Sequence, residues 1–291
     1  MLRTRLSLAL LAAVLVLAGC APAAQGTGPV QVAVSIAPLA DMVRQIGGER
    51  VTVVQLVPAG SSVHTYEPTP RQVQFVARAQ LLVLNGVGLE YWAPKVIDAA
   101  ANPKLHVVDT SQGLPLLEES GEEGGNPHLW LDPELAMRQA ERVRDGLIAV
   151  DPDHADLYRQ NAERYIGTLK ALDAEIQAET AGWTHRRFVA FHSAWVYFAR
   201  RYGLEQVAAI EPFPGREPSP EWLASIVGIV RDAGVPVVFA EPQLPPRAAQ
   251  AVAGEAGAKV LTLDPLGGVP GRSTYAEMMR YNVSQMAQAL R

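Results

Sequence analysis

A chain of 291 residues, 48% of them apolar, is long enough for two ordinary lobes with real buried cores. Its 25 basic and 30 acidic side chains leave a formal charge of -5, no footprint for nucleic acid but suited to a soluble protein with a cation as ligand. Beyond the first twenty residues no segment reaches the roughly 18 apolar residues of a membrane-spanning helix.

The chain begins MLRTRLSLALLAAVLVLAGC. Arg3 and Arg5 precede an apolar run from Leu6 to Leu17 that is too short and wrongly flanked for a transmembrane helix, so residues 1–20 read as an export signal. The run closes on Leu17-Ala18-Gly19-Cys20, which resembles the lipobox of bacterial lipoproteins. That resemblance implies cleavage before Cys20, lipidation of its thiol, and an extracytoplasmic protein anchored to the cell membrane. Cys20 is the single cysteine, so an intramolecular disulfide and any multi-thiolate metal site are excluded. Residues 21–29, APAAQGTGP, read as a flexible tether.

From residue 30 short β-rich runs alternate with helical ones, the signature of βα units and a parallel sheet. Strands are expected at 30–36, 51–57, 80–86 and 104–110, with helices between them. A polar loop at 111–127 carries Glu118, Glu119, Glu122 and Glu123. It leads into NPHLWLDPE, where Asp132 can cap a helix whose first residue is Pro133. Residues 151–181 hold a helical pattern of about 28 residues, roughly 40 Å long, more than one lobe needs. This predicts a connecting helix between an N-terminal lobe (30–150) and a C-terminal lobe (182–291). The second lobe repeats the alternation, with strands expected at 186–192, 204–211, 235–241 and 258–264. The fold class is therefore α/β: two lobes of four parallel strands each, joined by one long helix.

Three of the six histidines occupy one kind of position. His64 follows the strand at 51–57, and His128 lies in the loop after the strand at 104–110. His192 ends the strand at 186–192, before Ser193, read as a helix cap. Ligands of open parallel sheets bind beyond the carboxyl ends of strands, so the three can converge on a cleft between the lobes. A single one would ordinarily be a hydrogen-bonded loop residue; three at matching topological positions point to a site. Glu211, Glu241 and Asp264 stand at the ends of the three later strands. Three imidazoles and one carboxylate form a sensible shell for a divalent transition metal, and position alone does not choose among the three acids. His106, His154 and His185 read as ordinary strand or helix-entrance residues.

The stretches VPAGSSVHTYEPTP, NGVGLEYW, NPHLWLDP, FVAFHSAWVYFARRYGL, EPSPEWLASIV, FAEPQ and LTLDPLGG together resemble the solute-binding lipoproteins of ABC importers for zinc and manganese. The likeness covers essentially the whole chain after the leader. It implies two α/β lobes joined by a rigid helix, a metal between them, and an ABC permease as partner of a monomeric binding protein. It places the metal ligands on His64, His128, His192 and Asp264. Manganese-type members commonly carry glutamate where this chain has His192, so the resemblance favours Zn²⁺, with Mn²⁺ or iron as the alternative. Harder Mn²⁺ gains from oxygen donors, which agrees. The chain lacks the His-rich loop and the second-lobe disulfide of many zinc members. Glu241 is read as an acceptor for an imidazole N–H or as an additional ligand. Trp130, Tyr66 and Trp195 are candidates to line the cleft.

Two readings from other classes compete. A zinc hydrolase would keep an open coordination position for water, with Glu241 as base and Asp264 unbound, although no HExxH pair is present. A surface adhesin on the same fold would bind a host matrix protein without metal.

Overall fold

The computed structural model describes residues 28–118, 124–212 and 215–291. Cys20, the leader, most of the tether and Glu119, Glu122 and Glu123 lie outside them. The N-terminal lobe contains strands β1 (Val30–Val34), β2 (Val51–Gln55), β3 (Leu81–Leu84) and β4 (His106–Asp109), with helices α1 (Ala37–Gly47), α2 (Pro70–Val76), α3 (Ala93–Ala100) and α4 (Pro133–Val150). Its four strands are parallel, in the order β2-β1-β3-β4. The LLVL run of β3 is buried throughout, as befits a strand covered by helices on both faces.

Helix α5 (Ala155–Ala181) follows. Its buried positions Tyr158, Ala162, Tyr165, Leu169, Leu172, Ile176 and Thr180 recur every three or four residues, a single apolar stripe. That stripe packs on α1 and α4 on one side and on the helices of the second lobe on the other. The C-terminal lobe holds β5 (Arg187–Ala190), β6 (Glu205–Ala209), β7 (Val237–Ala240) and β8 (Lys259–Thr262), with α6 (Val196–Tyr202), α7 (Pro220–Asp232), α8 (Arg247–Ala256) and α9 (Tyr275–Leu290). Its strands, also parallel, run β6-β5-β7-β8. Both sheets thus have the same order, and each reverses winding direction between its two central strands, where a crevice opens at the carboxyl ends. Among the described residues no helix is long and apolar enough to cross a membrane.

The strands are shorter than their sequence runs, because the last one or two residues of each run turn out of the ladder into the facing loops, and six of the eight also begin one or two residues late. One capping assignment is corrected. Ser193 does not cap α6: the helix begins at Val196 after Trp195, with no side-chain cap. Asp132 does cap α4, accepting from the backbone N–H of Glu134, with Pro133 at the first helical position.

Polar ties join the lobes. Asp41 of α1, buried, accepts from the Tyr165 hydroxyl of α5 and the Tyr275 backbone N–H at the start of α9. Arg201 of α6 holds Asp173 of α5 in a two-pronged ion pair and reaches Glu134 and Asp132 at the start of α4. The Tyr202 hydroxyl donates to the same Asp173. Trp130, fully buried, donates its indole N–H to the Pro265 carbonyl, and its own carbonyl accepts from the Tyr275 hydroxyl.

Candidate metal centre

The crevices of the two sheets face each other, and three imidazoles meet there. His64 sits on a half-buried single turn of 3-10 helix, Val63–Thr65, beyond β2. His128, buried, precedes a second such turn, Leu129–Leu131, whose apolar side chains anchor it in the core. His192, also buried, lies two residues past the end of β5. The Nε2 atoms of His128 and His192 are 3.0 Å apart, and those of His64 and His128 are 3.3 Å apart. Among the described residues these are the three metal-ligating side chains whose donor atoms all lie within 4.8 Å of one another.

Hydrogen bonds orient two of the rings. Glu241 follows β7, the strand beside β5. Val189 pairs with Val238 in that ladder, and three residues further along each strand stand His192 and Glu241. His192 Nδ1 lies 2.5 Å from Glu241 Oε1, so Nδ1–H donates and Nε2 is turned toward the centre. For His128 the argument runs through Asn126. The Asn126 amide nitrogen donates to the Ser193 carbonyl at 2.6 Å, so its Oδ1 is the atom 3.0 Å from His128 Nδ1. His128 Nδ1 therefore carries the hydrogen, and its Nε2 presents a lone pair. Two ring nitrogens at 3.0 Å repel unless a proton or a metal cation lies between them. A tetrahedral zinc with nitrogens at about 2.05 Å separates them by roughly 3.3 Å, close to what the structure shows.

Electrostatics point the same way. Burial, and then the charge of His192, hold the His64 imidazolium down to a pKa of about 3. Burial, and then His192 and His64, hold His128 well below the ordinary histidine range. His64 and His128 are thus kept neutral, the form that binds metal. The free space between them is about 10 Å³, room for roughly one water-sized particle. Trp130 closes one side, its ring 5.1 Å from that of His128. Tyr66 and Trp195 are not in that lining: the Tyr66 hydroxyl donates to Gln72, and the Trp195 ring packs on Phe198 in the core.

Asp264, buried just past β8, stands outside the trio. Its Oδ1 accepts from Gln243 Nε2 and from the backbone N–H groups of Leu266 and Gly267, and Arg272 lies 3.2 Å from Oδ2. Glu211, also buried, accepts from the Gly215 N–H, and burial raises its pKa. Gly215 has a φ of +85°, and a Cβ there would come within 2.7 Å of the Thr65 side chain, beside His64. Only glycine lets this second-lobe backbone come so close to the first lobe. His106 is exposed on β4, His154 pairs with Asp151, and His185 is exposed, so none of the three joins the centre. Asn126 went unread in the sequence, although its place two residues before His128 in the NPH run was visible.

Residues 32–289 match the model of the family described as zinc-uptake complex component A, periplasmic. The chain is 32% identical to the manganese-binding lipoprotein MntA of Halalkalibacterium halodurans, over 95% of each chain. It is 28% identical to the high-affinity zinc uptake system protein ZnuA of Bacillus subtilis, over 87% of this chain and 85% of that one. A crystal structure of ZnuA superposes with a TM-score of 0.82 and 34% identity, covering 90% of this chain and 99% of the other. Since the family match runs through both lobes and the helix that joins them, the chain belongs to the zinc-uptake complex component A family of periplasmic proteins.

Proposed function

We propose that the protein captures Zn²⁺ outside the cytoplasmic membrane and passes it to the permease of an ABC importer. His64, His128 and His192 hold the ion, and Asp264 supplies a carboxylate that lowers the charge of the complex. The observation that carries this reading is the pair of oriented rings, which turns the Nε2 atoms of His128 and His192 toward one point. Relatives bear the names of both manganese and zinc proteins, so the metal is argued from the donors. Three neutral imidazoles suit borderline Zn²⁺ better than hard Mn²⁺. Binding, not turnover, is favoured by Glu241: its carboxylate is spent on orienting His192, which leaves it poorly placed as a base for water. The lipid on Cys20 and the tether at 21–29 keep the monomer beside its permease, with 30–150 and 182–291 as lobes on either side of 151–181.

A competition titration of Zn²⁺ against Mn²⁺ tests the assignment, with His192→Glu alongside. Tighter Zn²⁺ binding in the unaltered protein, with the preference reduced in the variant, is the expected result. Tighter Mn²⁺ binding in the unaltered protein overturns it.

A further inference from the structure

Gln243 stands between the histidine trio and Asp264. It lies three residues beyond β7, two past Glu241, and its side chain lines the same small cavity as the three rings. Its Nε2 donates to Asp264 Oδ1 at 2.8 Å. A carboxylate oxygen only accepts, so the amide group against Asp264 must be the NH₂, and the amide oxygen is turned elsewhere. That oxygen, Oε1, is buried and has no hydrogen-bond partner among the described residues. A buried acceptor without a donor is costly and uncommon, and it calls for a use. A cation in the adjoining cavity supplies one.

The other donors to Asp264 are of a different kind. Leu266 and Gly267 contribute backbone N–H groups fixed by the turn, and Arg272 approaches the opposite oxygen without lining the cavity. Gln243 is thus the one side-chain donor to Asp264 that also borders the space for the ion. Three imidazoles with an amide oxygen leave a bound Zn²⁺ at a charge of +2, and three imidazoles with a carboxylate reduce it to +1. In a dry site the second arrangement holds the ion far more firmly. A cargo protein has to let go, so a residue that draws the carboxylate away is a release device.

We infer that Gln243 is a positioning residue for cargo release: it competes with the metal for Asp264 through Nε2 while offering Oε1 as the weaker fourth donor. This rests on the zinc-binding reading above. Replacing Gln243 by an apolar side chain removes the one donor to Asp264 that borders the cavity, so the carboxylate is held less firmly away from the ion while its backbone partners remain.

The test follows zinc transfer from the full chain to an excess of chromogenic chelator, in the unaltered protein, Gln243→Leu, Gln243→Met, Asp264→Asn and the double variant Gln243→Leu/Asp264→Asn. Melting of the metal-free proteins selects whichever apolar variant is folded, and Met keeps the length of the original side chain. The expected result is release slowed at least about tenfold in the apolar variant, with the slowing lost in the Asp264→Asn background, because coupled residues do not act additively. Release at the original rate or faster, or slowing that persists without Asp264, overturns the inference. Failure of the unaltered protein to take up zinc counts instead against the proposed function.

Discussion

In the N-terminal lobe the histidines of the trio come from loops after the two edge strands, β2 and β4. In the C-terminal lobe His192 and Glu241 come from the two central strands, β5 and β7. The two central strands deliver His192 and its orienting carboxylate side by side just beyond their ends, three residues past the Val189–Val238 pair. The edge-strand loops need help. His128 is oriented by Asn126, which is itself held by the Ser193 carbonyl of the other lobe. His64 has only a half-buried turn beneath it, with the backbone of Gly215 pressed close against Thr65. The two lobes therefore contribute unequally: one holds a rigid half-site, and the other completes it through contacts across the cleft.

The largest expected effect tests that inequality directly. His192→Ala should lower zinc affinity by more than about a hundredfold, since loss of an oriented ligand exceeds the 10–100-fold seen when only its hydrogen-bond partner is lost. His64→Ala should cost clearly less; equal losses in calorimetric titration would break the comparison. Glu241→Gln keeps the shape but weakens the acceptor, and an affinity loss of about 10–100-fold is expected. Asn126→Ala, measured beside it, should cost less than Glu241→Gln if register outranks borrowed support.

Arg201→Met addresses the brace between lobes. It strands Asp173 and Asp132, both mostly buried, and should destabilise the metal-free protein by about 2 kcal/mol in urea unfolding. An unchanged midpoint would mean the lobes need no such strut.

A separate effect concerns pH. Unfolded histidines titrate near about 6.5, whereas folding lowers His64 to about 3 and His128 well below its ordinary value. The unfolded chain thus takes up protons that the folded one refuses, so metal-free stability is full above about pH 6.5 and falls below it toward pH 3. Zinc affinity behaves differently. Two of the rings are already neutral, so the slope of log affinity against pH between 7.5 and 5.5 should not exceed about one proton. A slope near three would show that the first lobe's rings are not kept neutral.

Much of this architecture was legible beforehand. Short apolar runs marked all eight strands: they are nearly continuous in the largely buried central strands β1, β3, β5 and β7, and are interrupted by polar residues in the more exposed edge strands. The three histidines stood out because each follows a strand, and chain topology turns that shared place into proximity. What the sequence concealed depends on side chains that meet only after folding. Nothing in ARRYGL announces that Arg201 reaches Asp173 and Glu134, 28 and 67 residues away. The capping reading of Ser193 failed because its neighbourhood forms a tight turn facing Asn126, which delays the helix to Val196. Gln243 was visible within FAEPQ, but a glutamine carries no signal of function until its partners are known.

The opposition of His192 and Glu241 across the β5–β7 ladder has a consequence for how such a protein can vary. Changes in the length of the crossover from β5 to β7, which includes β6 and α7, leave the alignment of the two central strands untouched. The imidazole and its carboxylate are thereby insulated from the segments most tolerant of insertion. Only an insertion or deletion within β5 or β7, or in the residue or two that lead from them to His192 and Glu241, would slide one partner past the other, so more distant loops can be remodelled for a new docking partner without retuning the half-site.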